Sequence, residues 1–160
     1  MEKHQIIAKA KRKDNGEWIH GYYFFDSFNQ ESFITFGTYT FKFDVPLYSP
    51  KKSNDYKIAA FEVIPETLEY HTGYSINGVD LYTGDLIQDG IDNLIGVIKL
   101  GKYCSPFCNN IEECHIGFYV EWLKYDCYLR KDLGYWLSRA DIKLIGNIHD
   151  NPNLLKEIIE

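Results

Sequence analysis

The amino-acid pattern predicts a mainly β protein of the β-rich α+β type. It places an N-terminal β segment over residues 1–60, a small antiparallel barrel over 61–150 and a short amphipathic helix over 151–160. Three observations carry this reading. Aromatic residues make up 16% of the 160 residues, with 13 Tyr and 10 Phe, and aromatic and β-branched side chains fit a pleated surface. Apolar stretches of strand length are separated by Asn-Gly and Gly-Asp turn signals. Strands do not alternate with long helical patterns, which sets aside a parallel sheet.

The elements follow in chain order. Gln5 to Ala10 is extended and half apolar, and Glu17 to Phe25 is rich in aromatics. Between them, Asp14-Asn15-Gly16 marks a tight turn because Asn and Gly tolerate positive φ, so residues 3–25 predict a hairpin. Phe33 to Phe43 alternates as a strand does. Pro46, Pro50 and the polar run Lys51-Lys52-Ser53-Asn54-Asp55 predict a loop. Ile58 to Ile64 regains strand character, and Pro65 ends it. Asn77-Gly78 predicts a second tight turn, and Tyr82-Thr83-Gly84-Asp85 a turn into a strand. Leu94–Leu100 and His115–Leu123 predict strands, with a polar, cysteine-bearing loop from Gly101 to Glu113 between them. Arg130–Leu137 reads as a helical turn or an irregular segment, and Asp141–Ile148 as a strand. The barrel core should draw on Leu81, Leu86, Ile87, Val97, Ile98, Phe118, Val120, Trp122, Ile142, Leu144 and Ile148. At the end, Asn151 can cap a helix and Pro152 takes the favoured first position, while Leu154, Leu155, Ile158 and Ile159 form one stripe.

A chain of this length buries roughly 70% of its unfolded surface, so it needs neither disulfide nor metal to fold. The composition is 45% hydrophobic and 25% charged, which excludes general disorder. The net charge of −6 argues against a broadly basic nucleic-acid binder. The N-terminus has no apolar run of signal-peptide length, and no run reaches the length of a membrane span. The expected compartment is therefore the cytoplasm, where the four cysteines are expected as reduced thiols.

Three segments carry a family resemblance. The first runs from Lys11 to Tyr22 and contains Asp14-Asn15-Gly16-Glu17-Trp18. The second is Ile64-Pro65-Glu66-Thr67-Leu68-Glu69-Tyr70-His71-Thr72-Gly73, continuing through Asn77-Gly78-Val79-Asp80-Leu81-Tyr82-Thr83-Gly84-Asp85-Leu86-Ile87. The third is Ile145-Gly146-Asn147-Ile148-His149-Asp150-Asn151-Pro152-Asn153-Leu154-Leu155. Together and in this order they resemble the YopX family of phage and prophage proteins. The match departs at Tyr70-His71, where the family has Gln followed by an aromatic, and the insert around Cys104 to Cys114 is particular to this chain. The resemblance implies a mobile-element protein of a bacterial host that assembles into oligomers; it implies no reaction. In physical terms Gly84 permits a tight turn while Asp85 bonds nearby backbone amides. Gly146 lets another backbone approach closely. These are structural demands rather than binding ones.

Three groups of residues were candidates for chemistry. Cys104-x3-Cys108-x5-Cys114-His115, with Cys127 beyond, has zinc-ligand chemistry but lacks a paired Cys-x2-Cys knuckle, so it reads as a surface loop with Cys127 in the core. Glu62, Glu66, Glu69, Asp80, Asp85, Asp89 and Asp92 lie in a stretch with no Lys or Arg. They read as a solvated acidic face rather than an acid–base pair or a Ca²⁺ or Mg²⁺ site. Lys3, Lys9, Lys11, Arg12 and Lys13 stand against Glu2 alone in residues 1–13. With Trp18, Tyr22 and Tyr23 they have the phosphate-plus-stacking chemistry of a single-strand binder; alternatively they keep an edge strand from aggregating. Ser105 and Ser138 lie in no nucleophile motif and no phosphate loop occurs. No catalytic, cofactor or metal residue is assigned.

The sequence thus predicts a non-enzymatic protein-interaction module ending in an SH3-like barrel and acting in the host cytoplasm. The expected partners are other copies of the chain and an unidentified protein, with no membrane role; nucleic acid held by the basic hairpin is the alternative. The C-terminal helix is too short to stand alone in water, so its stripe, or the N-terminal segment, is the expected dimer interface.

Overall fold

The computed structural model describes residues 7–35, 60–104, 115–124, 131–139 and 141–159. The chain divides into two units, Met1–Leu68 and Glu69–Glu160. Among the described residues strands far outnumber helices, as the composition predicts.

The first unit holds β1 (Ile7–Lys11), β2 (Trp18–Asp26), β3 (Glu31–Thr35), β4 (Ala60–Glu62) and a 3-10 turn at Pro65–Thr67. The strands form an antiparallel meander in the order β4-β3-β2-β1. The predicted Asn-Gly turn closes β1 onto β2: Gly16 takes φ +75°, and the Arg12 amide donates to the Glu17 carbonyl at 2.9 Å. At the β2–β3 turn the Asp26 carboxylate accepts from the Asn29 side-chain amide at 2.8 Å and from the Phe28 amide at 2.9 Å. These bonds hold its pKa below the ordinary carboxylate value, the Asn29 amide contributing most. Ala10, Ile19, Ile34 and Val63 form the buried face, with Phe61 and Leu68 against it.

Residues 61–68, expected at the start of the barrel, pack with this first unit instead. The Val63 amide donates to Ser32 O and the Ile64 amide to Lys11 O. Thr67 Oγ1 accepts the Lys11 amide at 2.8 Å and donates to Ile64 O at 2.7 Å. Long-range bonds of this kind leave no trace in local periodicity. The later part of the predicted strand Phe33–Phe43 and the loop at Pro46–Asp55 lie outside the described residues.

The second unit holds β5 (Glu69–Ile76), β6 (Val79–Tyr82), β7 (Asp85–Asp89), β8 (Ile95–Tyr103), β9 (His115–Trp122), α1 (Leu133–Arg139), β10 (Ile142–Asn147) and α2 (Pro152–Ile159). β5 and β6 form a hairpin whose central residues, Asn77 and Gly78, both take positive φ, as a two-residue primed turn requires. The other strands form an antiparallel sheet in the order β10-β7-β8-β9. Leu81, Ile87, Ile98, Val120, Trp122, Leu133 and Ile142 are its core, with Phe118, Leu144 and Trp136 packed against them. Most of the predicted core is present. Leu133 and Trp136 are additions from α1, where the sequence left a helical turn or an irregular segment open. Leu86 and Val97 face each other in register and are also buried.

Two boundaries differ from expectation. Gly101–Tyr103 was read as loop but belongs to β8, because Lys102 and Tyr103 continue the ladder against Ile116 and His115. β10 carries a bulge between Leu144 and Gly146. It places Leu144 and Asn147 in the same row as Ile87 and Asp85, which plain alternation would not do.

Gly96 sits opposite Trp122 in the β8–β9 ladder. A Cβ there would overlap Val120 Cγ1 and stand 3.0 Å from Trp122 Cε3. Gly96→Ala should therefore lower stability by about 1–3 kcal/mol through overpacking, measured as a shifted urea midpoint at unchanged m-value. A neutral result would show that the Val120 contact relaxes freely.

Candidate functional site

The second and third family segments meet in the second unit around Asn147. Asn147 is 6% exposed, Glu69 2% and Asp85 3%. The Asn147 Nδ2 group donates to Glu69 Oε1 at 2.7 Å and to Asp85 Oδ1 at 2.9 Å. Its Oδ1 accepts the His149 amide at 2.9 Å, and its backbone amide donates to Asn151 Oδ1 at 3.0 Å. Its carbonyl accepts from the Asn151 amide at 2.8 Å. Every polar group of this residue is thus engaged. Asp85 Oδ2 accepts the Tyr82 amide at 2.8 Å, and His149 Nε2 lies 3.8 Å from Glu69 Oε1.

Two glycines make room for this clasp. Gly84 takes φ +85°, and a Cβ on it would overlap Glu69 Oε1. Gly146 admits the Asn151 side chain; it was expected to admit another backbone. Asn151, expected to cap the helix, uses its side-chain oxygen to tie the start of α2 back to β10. The expected role of Gly84-Asp85, a tight turn with Asp accepting backbone amides, is what the structure contains.

The acidic stretch is not a uniformly solvated face. Glu69, Asp85 and Asp89 are buried. Asp89 folds the loop after β7 by accepting the Ile91 amide at 3.2 Å and the Asp92 amide at 3.1 Å. Glu62 pairs with Lys13, and Asp80 lies 3.7 Å from His71 Nε2. Glu69 and Asp85 are joined through Asn147 from a distant segment and Asp89 by amides of its own loop, so a count of acids in a window cannot separate them from surface charge. Among the described residues no group of three or more His, Cys, Asp or Glu side chains is arranged to hold a metal ion.

The cysteine expectation is corrected at one position: Cys104 is disulfide-bonded rather than a reduced thiol. Linear spacing does not show which sulfurs the backbone brings together. A sulfur in that bond is not a thiolate ligand for zinc. Cys108, Cys114 and Cys127, like Ser105, lie outside the described residues. His115 opens β9 with its ring 5.6 Å from Tyr103, and Ser138 donates to the Tyr135 carbonyl at 2.8 Å.

Aromatic surface collects in two places that composition alone could not locate. In the second unit, Tyr74, Tyr103, Phe118 and Tyr135 line a cleft of about 510 Å³ with Asp132, which accepts from the Tyr103 hydroxyl at 2.9 Å. Next to Phe118 along the ribbon formed by β8 and β9, Leu100 and Ile116 are 49% and 83% exposed. In the first unit the register pairs Lys11 with Trp18, Lys9 with His20 and Phe24 with Phe33. Lys9 Nζ and Lys11 Nζ stand 5.0 and 5.3 Å from the Trp18 ring centroid. Tyr23, grouped with these residues on sequence, is on the opposite face, where its hydroxyl meets Ser32 Oγ at 3.1 Å. Arg12 is held by Asp14, whose pKa it lowers, and Lys13 by Glu62, which raises the lysine pKa. Lys3 lies outside the described residues.

The family model described as YopX protein matches residues 9–156, and the chain belongs to that family. No curated protein and no solved structure matches it. The described residues contain no helix long and apolar enough to cross a membrane.

Two measurements probe these features. Asn147→Ala leaves two buried carboxylates without their shared donor and should lower stability by about 2–5 kcal/mol. A change below about 0.5 kcal/mol in denaturant unfolding would contradict the clasp. Alkylation of the denatured, unreduced protein should reach at most two of the four cysteines; modification of all four would show Cys104 reduced.

Proposed function

We propose that this YopX-family chain is a non-enzymatic protein-interaction module of a phage or prophage, assembling with its own copies in the cytoplasm of a bacterial host. One observation carries the reading. The face of β8 and β9 that forms the core at Ile98 and Val120 continues outward to Leu100, Phe118 and Ile116. There Leu100 and Ile116 become exposed. Burying an aliphatic side chain of this size contributes roughly 1.5–3 kcal/mol.

We read the sheet β10-β7-β8-β9 with the β5–β6 hairpin as an SH3-like barrel, whose aromatic cleft at Tyr74, Tyr103 and Tyr135 faces the unidentified protein partner. Aromatic anchors of this kind are enriched in interface cores. The polar groups of Asn147 itself are all engaged within the clasp, which fits a structural role for that residue. The ribbon is a stronger interface candidate than α2. Leu154 and Leu155 are already half-buried, and the side chains of Ile158 and Ile159 lie outside the described residues. The disulfide at Cys104 runs against the cytoplasmic assignment, since such bonds are rare in a reducing compartment.

Light scattering at low micromolar concentration tests the assembly. At least twice the chain mass of 18.7 kDa is expected, falling to the single-chain value when Leu100→Lys and Ile116→Lys are combined. A wild-type mass of 18.7 kDa that does not change with concentration rules the assembly out.

A further inference from the structure

We infer that Asn77 is a site of spontaneous covalent modification. In the folded chain the Gly78 backbone nitrogen attacks the Asn77 side-chain amide and converts it to aspartate and isoaspartate, whereas Asn15, in the same Asn-Gly sequence, is protected. The inference is independent of the interaction role proposed above.

The sequence contains two Asn-Gly pairs, Asn15-Gly16 and Asn77-Gly78. Both stand in hairpin turns, and all four residues are exposed. Glycine after asparagine leaves the attacking nitrogen without a neighbouring Cβ to shield it at both. Exposure and local sequence therefore do not separate the pairs. Hydrogen bonding does. Asn15 Nδ2 donates to Glu17 Oε2 at 2.8 Å, and Asn15 Oδ1 accepts the Glu17 amide at 3.0 Å. The Gly16 amide donates to the Arg12 carbonyl at 3.0 Å. Nucleophile and electrophile are thus both held at the first turn. At the second, neither the Asn77 side chain nor the Gly78 amide has a hydrogen-bond partner among the described residues. Asp89-Gly90, which can close the same ring with loss of water, is held like the first pair. Its carboxylate accepts the Ile91 and Asp92 amides, and the Gly90 amide donates to the Asp141 carbonyl at 2.9 Å.

The Gly78 nitrogen gives its proton to hydroxide and bonds to Asn77 Cγ. The Cγ–Nδ2 bond breaks, and the leaving nitrogen takes a proton from water and departs as ammonia. The succinimide ring that remains is opened by water at either carbonyl. Opening at Cγ gives aspartate. Opening at the backbone carbonyl gives isoaspartate, in which the main chain runs through Cβ and Cγ. Nothing is oxidised or reduced.

Either product adds a negative charge to the hairpin tip, where Asp80 is already exposed. Isoaspartate also lengthens the main chain by a carbon. A two-residue primed turn needs positive φ at both central positions, here +51° and +81°, and the longer backbone does not close it. The Ile76–Val79 pair therefore opens. Leu81 stays in place, because it is fully buried and its carbonyl accepts Thr72 Oγ1 at 2.9 Å.

Each hydrogen bond that must break before ring closure slows it roughly 2- to 13-fold. Three such bonds hold the first turn. The test is position-resolved peptide mass spectrometry of the full chain, aged in mildly alkaline buffer at body temperature with and without denaturing urea. The ratio of Asn77 to Asn15 conversion should be at least about fivefold higher in buffer than in urea, with isoaspartate among the products at position 77. Glu17→Ala, a change at an exposed residue, should raise Asn15 conversion in buffer at least about twofold and leave Asn77 conversion unchanged. A ratio no higher in buffer than in urea, an intact Asn77 in the folded chain after it has converted in urea, or unchanged Asn15 conversion in the Glu17→Ala chain would each overturn the inference.

Discussion

The second unit depends on one amide group. Asn147 Nδ2 is shared by two buried carboxylates from distant parts of the chain, Glu69 at the start of β5 and Asp85 at the start of β7. Buried carboxylates are tolerated only where their lone pairs are met by donors. Here one side chain meets an oxygen of each, and its backbone also anchors Asn151, the residue before α2. The glycines at 84 and 146 follow from the same constraint, because a Cβ at either position would occupy space taken by the clasp. Three short motifs far apart in sequence are thus parts of one device, and the device joins a hairpin, a sheet and a helix.

Local signals were legible where local physics decides. Gly16, Asn77, Gly78 and Gly84 take the positive φ that their turns require. The alternation from Phe118 to Trp122 is the core-facing row of β9. Other features depend on pairing between distant segments, and these were not legible. Residues 61–68 read as the start of the barrel because nothing local says that Val63 will pair with Ser32. Glu69 and Asp85 read as surface charge in the acidic stretch because the donor they share, Asn147, comes from a distant strand. The disulfide at Cys104 belongs to the same class. The motifs Gly84-Asp85 and Ile145-Gly146-Asn147-Ile148 read as structural demands, but nothing in them says that Asp85 and Asn147 meet each other and Glu69.

The two units divide their surfaces by chemistry. The first is balanced in charge and presents lysines with aromatic rings on the outside of a meander. The second holds the acidic excess and presents a tyrosine-lined cleft with an apolar ribbon beside it. A stable core beneath each face allows surface residues to be chosen for contact rather than for folding. This is why an aromatic fraction of 16% can be carried without all of it being buried.

The bulge between Leu144 and Gly146 acts as a phase shift in the last strand. Without the bulge, at the same chain length, plain alternation would put the Asn147 side chain on the face opposite Leu144, away from both carboxylates. Substitution at Ile145 changes only a side chain, whereas deleting it removes the extra residue and with it the local bend and twist that the bulge gives the strand. The path of the chain into Asn147 therefore depends on the two-against-one count of residues opposite Leu86 rather than on which side chain stands at Ile145.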